Sequence, residues 1–546
     1  MPPTGAEREL RQRIVPALAV AFGAMLTLCL QGYHFGKSNH TVYLIDALRH
    51  VHPELLANDW FATQTLQYHA AFGWMTRGLM RLGIIEPVFL LGYVALLVLF
   101  HAAWWRIVVL LGGGVAAFFL SEVFFHVSAG GTGLGMYQIL QDSAFLPSNI
   151  SAVALLMALM LHLADRRAAS AVLFGVAGLF HLNYALIAPL LWIVLVAQSR
   201  WWDGRRPTAK EWIGMIVMAA LCAANIIPAL LVTLRQSGRM PLDEFVALYV
   251  RLRHPHHYDP LSWPIALWVS FIWPIPLAWG HWRRIGRERR DGTDGPVMTA
   301  TLEAARTVDL MMLLLALTLI GAGIWFVSET LVQLSLWRFS VFVKLLTCIG
   351  AAAWMEHAIR ARRALLTGAS LVAGAALIAA CLVRGPYLGF YRVAEDDPSY
   401  LAACDWIAAN TAADAVFLVP PDEQAFRLRA RRAIVVNFKS VPQLSGELAA
   451  WRERLSQVLM LPDLTTLARP FDQTLAAIRE RYESRTPEQL QAVGRRYGAR
   501  YVLVARRWPD QWEARRVNVA ANDAWFLYDL AGAPTGQAPS GEGGAK

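Results

Sequence analysis

Blocks of about 20 apolar residues, separated at short intervals by arginine clusters, constrain this chain more than any other feature it has. The block from Ile14 to Leu30, for example, contains no Asp, Glu, Lys or Arg. One soluble core cannot bury so many such blocks, whereas lipid can, because a helix satisfies its own backbone. With 56% hydrophobic and 16% charged residues, the chain reads as a polytopic membrane protein. Its net charge of +10 would suit a nucleic-acid binder. The excess, however, sits in arginine clusters between apolar blocks, where it reports which loops face the cytoplasm. Nucleic acid is therefore excluded as a partner, and membrane lipids are expected.

Arg8, Arg11 and Arg13 precede a first span at roughly 14–35 and place the N-terminus in the cytoplasm. That block runs past Leu30 without a small-residue cleavage site, so no cleaved signal is expected. From His69 to Leu82 the spacing sets Phe72, Met75, Leu79 and Leu82 on one side and Arg77 and Arg81 elsewhere, which predicts an interfacial helix. Further spans are expected at about 86–104, 107–125, 149–164, 211–233, 262–282, 307–328, 338–357 and 364–383. Residues 168–198 read as two short helices meeting at His181, Leu182 and Asn183. The count is about eleven spans, and an odd number leaves the last part of the chain outside, in the periplasm of a Gram-negative cell.

The tail changes character. AVFLV (415–419), AIVVN (433–437), YVLVA (501–505) and WFLYDL (525–530) are strand-like, and 399–410, 445–460 and 486–497 have helical periodicity. The expected fold class is mainly α: a polytopic helical domain over 1–383, a periplasmic α/β domain over 384–532, and a disordered tail over 533–546. Four of the five cysteines, Cys29, Cys222, Cys348 and Cys381, fall in apolar segments and Cys404 lies in the tail, so neither a disulfide framework nor a zinc spacing is visible.

Two loops stand out. Phe125–Asn149 lacks Lys and Arg, which fits an external loop, and its glycines also permit it to dip into the bilayer if protein covers its backbone. GGTGLG (130–135) matches neither phosphate-loop spacing and follows a membrane block, so it is not read as one. The second loop, Gly36–Tyr68, organises the functional reading. It carries Asp46 and Asp59, the latter beside Trp60 and Phe61; a carboxylate there has the chemistry of a general base toward a hydroxyl, and helix capping is the alternative.

Cationic and imidazole groups fall on the same expected face: His34, Lys37, His40, His69, His181, Arg251, Arg253, His254, His256, His257, Arg338 and, deeper, Lys344 within a span. Such groups suit a phosphate at the lipid boundary, while snorkelling and helix capping compete for each. His181, Asn183 and Tyr184 sit at the helix break, where polar groups either satisfy exposed backbone or line a cavity. His254, His256 and His257 with Asp259 could supply two ligands to a divalent ion or serve a structural or headgroup role. Glu122 with His126 reads as a local ion pair or cap.

These features, with GKSNH, NDWF, GLFHLNYA, RHPHHYDP, DWIAANT, FLVPPDEQAFR and VNFKSVP, resemble a group of bacterial membrane proteins placed near the GT-C class of polytopic glycosyltransferases. The resemblance implies an inner-membrane enzyme that moves a sugar from a polyprenyl-phosphate donor to a hydroxyl of a glycan or lipid acceptor on the periplasmic face, with inversion. It implies Asp59, and second Asp46, as base or metal ligand. It makes His40, His69, His181, Asn183, Tyr184, Arg251, Arg253, His256, His257, Arg338 and Lys344 candidates for substrate binding. A divalent metal, Mg or Mn, is used in parts of that class, but the loop has no D-x-D or E-x-D pair, so no metal ligand is assigned. The rival readings are a transporter or flippase of lipid-linked sugars and a non-catalytic envelope-assembly protein.

Overall fold

The computed structural model describes residues 5–235, 238–291, 295–360, 396–517, 519 and 523–531, and within 361–395 only Leu365, Gly368, Val372 and Ala375. The span expected at 364–383 thus lies outside the described residues except for those four positions, and the tail expected over 533–546 lies wholly outside them. Contacts divide the chain into two units: Met1–His40 with Leu66–Ala394, and Thr41–Thr65 with Glu395–Lys546. The division expected at 383/384 leaves the first loop with the helices, whereas here most of that loop groups with the C-terminal unit.

The first unit is helical: α1 (Gly5–Gln31), α2 (Ala70–Arg81), α3 (Ile85–Leu110), α4 (Val115–Val127), α5 (Pro147–Leu163), α6 (Arg167–Phe180), α7 (Leu182–Asp203), α8 (Ala209–Arg235), α9 (Ile265–Ile272), α10 (Pro274–Arg290), α11 (Pro296–Thr318) and α12 (Phe339–Ile359) are its longer elements. Among the described residues, 6 helices are long and apolar enough to cross a bilayer, or up to 7 if the bent pair Leu134–Ser143 and Pro147–Leu163 counts as one. The chain is a multi-pass membrane protein.

Local chemistry explains where the breaks fall. α3 continues through Trp105 and Arg106, where a loop was expected, and stops before Gly112, whose φ of 78° suits glycine. The next helix is consequently short. His181 leaves helical geometry (φ −141°, ψ 125°) and its Nδ1 accepts from the Asn183 N–H at 3.2 Å, so it ends α6 and caps α7. The break is where the sequence places it, but α7 is a full 22 residues and not a short piece. The span expected at 262–282 is interrupted at Trp273, ahead of Pro274, which has no N–H to give.

α12 is the unit's central helix, buried along almost its whole length. Against it lies the glycine-rich segment, built of short turns at Ala129–Gly131 and Leu134–Met136. A Cβ at Gly133 would stand 2.5 Å from Ser340 Oγ and 2.6 Å from the Val341 nitrogen, so only glycine permits this approach. Elsewhere α1, α3 and α4 enclose Glu122, whose carboxylate meets His101 at 2.8 Å and His126 at 3.1 Å, with Thr27 Oγ1 2.9 Å from the far side of the His101 ring. Glu122 thus has two imidazole partners, one more than the local pair expected from sequence.

The second unit has a five-stranded sheet in the order β2-β1-β3-β5-β4, with β1 (Val416–Leu418), β2 (Ala433–Ile434), β3 (Tyr501–Val504), β4 (Arg516–Val517) and β5 (Phe526–Asp529). β1 pairs in parallel with β2 and β3, and β5 runs antiparallel to β3 and β4. α13 (Pro398–Asn410), α14 (Ser445–Leu459), α15 (Phe471–Glu483) and α16 (Pro487–Tyr497) accompany it. Phe417, Leu503 and Leu527 from the strands meet Tyr400, Cys404 and Ile407 of α13 in one apolar core.

Candidate substrate site

In the helical unit the fold draws several of the expected residues around Arg338. The break at His181 turns that ring toward His69, with centroids 4.3 Å apart, and toward Tyr184 at 5.6 Å. His69 precedes α2 in a left-handed conformation (φ 100°), and its Nδ1 accepts from the Leu182 N–H at 3.4 Å. Burial, with the charge of Arg338 acting in the same direction, pulls the His69 imidazole down to about 3, so the ring is neutral at ordinary pH. Asn183 donates to the carbonyls of Gln333 (2.5 Å) and Leu334 (3.3 Å), tying the break to the turn that leads into Arg338.

The Arg338 guanidinium lies 4.5 Å above the Tyr137 ring, and its charge reaches the Tyr184 hydroxyl. Tyr137 in turn stacks on His257, 4.7 Å away with planes 9° apart, and its hydroxyl meets Ser335 and Tyr258. A permanent positive charge among neutral imidazoles, phenols and an amide is suited to a phosphate group, because guanidinium offers paired donors and the low-polarity surroundings strengthen them.

Other expected residues have different roles. Lys344 is fully buried and donates to the carbonyls of Ser128 and of Thr132 (2.7 Å), so its ammonium is committed to backbone and not to a ligand. His40 is held on both ring nitrogens, by the Gly36 N–H (3.1 Å) and opposite the Phe145 carbonyl (3.2 Å). Burial takes it down to about 4 although the contact with Phe145 opposes the shift. Both side chains, expected among the substrate-binding groups, hold backbone here. Arg253 is buried; Arg251 is exposed, its guanidinium 5.9 Å from the Phe326 ring. His256 packs on His257 at 4.1 Å.

The largest revision concerns Asp59, in the second unit. It caps the helix Trp60–Gln64 by accepting from the Ala62 N–H at 2.9 Å. Its other oxygen takes the Arg427 Nε–H at 2.7 Å and the Ile434 N–H at 3.0 Å. Arg427 also donates to Asn437 and Ser440 and lies over Phe61. Asp59 and Arg427 are at most 1% exposed. A buried carboxylate that takes three donors, one of them a buried guanidinium, ties the first loop to Arg427 and Ile434, so Asp59 stands here as an anchor where a general base was expected. Asp46 differs: its Oδ1 lies 3.2 Å from His50 Nδ1 and 3.8 Å from Arg49, both partly exposed.

Residues 398–458, which include Arg427, Asn437 and Ser440, match a domain of unknown function, DUF6798. No curated protein matches the sequence. The structure is similar to ArnT from Cupriavidus metallidurans. With undecaprenyl phosphate bound, ArnT matches at TM-score 0.42 and 14% identity over 95% of this chain and 99% of its own. In the apo state it matches at TM-score 0.39 and 14% identity over 95% and 98%. A likeness of this size carries no residue-by-residue correspondence, and what ArnT binds is a property of ArnT.

The donor set does not fit the metal that the resemblance allows. Among the described residues no group of three or more His, Cys, Asp or Glu is placed to hold an ion. In the histidine run, His254 Nδ1 and His257 Nδ1 face the backbone carbonyls of Tyr249 (3.0 Å) and Gly135 (2.7 Å), and Asp259 caps a turn. Sequence reading missed Tyr137 and Arg427. Nothing in spacing marks Tyr137, and Arg427 is separated from Asp59 by 368 positions.

Proposed function

We propose that the chain is a membrane glycosyltransferase that moves a sugar from a polyprenyl-phosphate donor to a hydroxyl of a glycan or lipid. It would act on the periplasmic face of a bacterial inner membrane. The observation that supports this is Arg338, enclosed with His69, His181, Asn183, Tyr184 and Tyr137 in a unit of membrane-length helices. In the reaction, the bond between the anomeric carbon and the phosphate oxygen breaks as the acceptor oxygen attacks from the opposite side. A single displacement inverts the configuration, and polyprenyl phosphate leaves with the electron pair. Arg338 stabilises the charge that grows on that oxygen. The acceptor proton passes to a general base as the acceptor oxygen attacks.

The test is binding of polyprenyl phosphate to the full chain in lipid nanodiscs. Arg338→Ala is expected to weaken it at least tenfold, the usual loss for a charged hydrogen bond, at unchanged protein yield. Equal affinity in the variant refutes the phosphate site. Intact binding but no transfer to any acceptor in the native membrane would favour a carrier of lipid-linked sugars.

A further inference from the structure

Lys344 is hard to account for as a structural residue alone. A lysine inside a membrane helix is costly and usually has a use, and its acceptors here are two carbonyls of one irregular segment, Ser128 and Thr132. That segment has no regular backbone ladder. Further polar groups of it are met singly: Ser340 Oγ donates to the Leu134 carbonyl at 3.1 Å, His257 meets Gly135, and the Gly133 N–H bonds the Tyr137 carbonyl at 2.8 Å. Irregular backbone at membrane depth survives only with such cover.

The donors are arranged with a direction. Arg338 leads directly into α12, Ser340 and Lys344 lie four residues apart on one face of it, and Gly133 sits flush against it because no Cβ fits there. The segment then ends at Tyr137, whose ring lies against both the Arg338 guanidinium and His257. Pulling the segment away from α12 would withdraw Tyr137 from beneath Arg338.

We propose that Lys344 is a positioning residue: by tying Ser128 and Thr132 to α12, it sets Tyr137 under Arg338 and so orients the guanidinium toward a phosphate. This rests on the phosphate reading of Arg338 given above. Lys344 itself touches no substrate.

The experiment is a double-mutant cycle on the full chain in nanodiscs, with polyprenyl phosphate as the probe. Lys344→Met is expected to weaken binding about tenfold, and Tyr137→Ala by at least as much. The double variant should bind no worse than Tyr137→Ala, because coupled residues are not additive. A purely structural lysine would add its loss to that of Tyr137, and additivity overturns the inference. Should Lys344→Met fail to fold, Gly133→Ala serves instead: its Cβ pushes the segment off α12 with Lys344 intact, and the same cycle with Tyr137→Ala must again be non-additive. If Arg338→Ala weakens binding while Lys344→Met does not, the positioning role fails and the phosphate site stands. If Arg338→Ala binds as the parent does, the phosphate site itself has failed.

Discussion

Removing the Asp59 carboxylate should release the first loop from the C-terminal unit, and the structure indicates how strongly. Asp59→Ala deletes the helix cap at Trp60, strands the Ile434 N–H, and leaves the Arg427 guanidinium, 1% exposed, without its counter-charge. Breaking one side of a buried pair costs about 3–5 kcal/mol. At about 1.36 kcal/mol per decade that is roughly two to nearly four decades in the constant for local opening. Hydrogen exchange of the full chain in nanodiscs reads this directly. Amides of 60–65 and the Ile434 amide should exchange faster by that factor, while α12 is unaffected. Asp59→Asn keeps an oxygen for Ala62 and should fall between. Asp59→Leu with Arg427→Met should recover much of the loss, since both charges are removed together. Unchanged exchange in Asp59→Ala would refute the anchor. Unchanged exchange with lost glycan transfer in Asp59→Asn would restore Asp59 as the base.

Three further outcomes are expected. Gly23→Ala should destabilise the helical unit by about 1–3 kcal/mol in thermal melts, because its Cβ would stand 2.5 Å from His101 Nδ1 and 3.0 Å from Glu122 Oε1. Burial lifts the Glu423 carboxyl from its ordinary 4.5 to about 7 even though Arg479 pairs with it, so the folded form holds a proton there that the unfolded chain gives up. This contribution is therefore full below about 4.5 and lost as pH rises through about 7; denaturation of the second unit across that window should show the dependence, and Glu423→Gln should flatten it. Chelation by EDTA should leave polyprenyl-phosphate binding and transfer unchanged; a loss restored by Mg or Mn would contradict the donor geometry.

What the sequence makes legible is what depends on neighbours in the chain. Apolar blocks and arginine clusters locate the long helices because lipid selects residue by residue. His181 ends a helix through a bond to its own near neighbour, and four of the five strands lie in runs visible as strand-like. Contacts between distant segments are not written in spacing. Asp59 looks like a loop acid until Arg427 arrives from the far end of the chain. Lys344 and His40 look like phosphate ligands because their partners are backbone carbonyls and amides, which no residue type announces. The helix α15 went unrecognised, and β4 is only two residues long.

The position of the lipid phosphate decides whether Arg338 is a substrate group. A polyprenyl-phosphate analogue with a photoreactive group beside the phosphate, activated in nanodiscs and mapped by peptide mass spectrometry, should label the peptides that carry His69, His181–Tyr184 and Arg338. Labelling should fall away in Arg338→Ala. Label confined to lipid-facing helices, and indifferent to Arg338, would contradict the account.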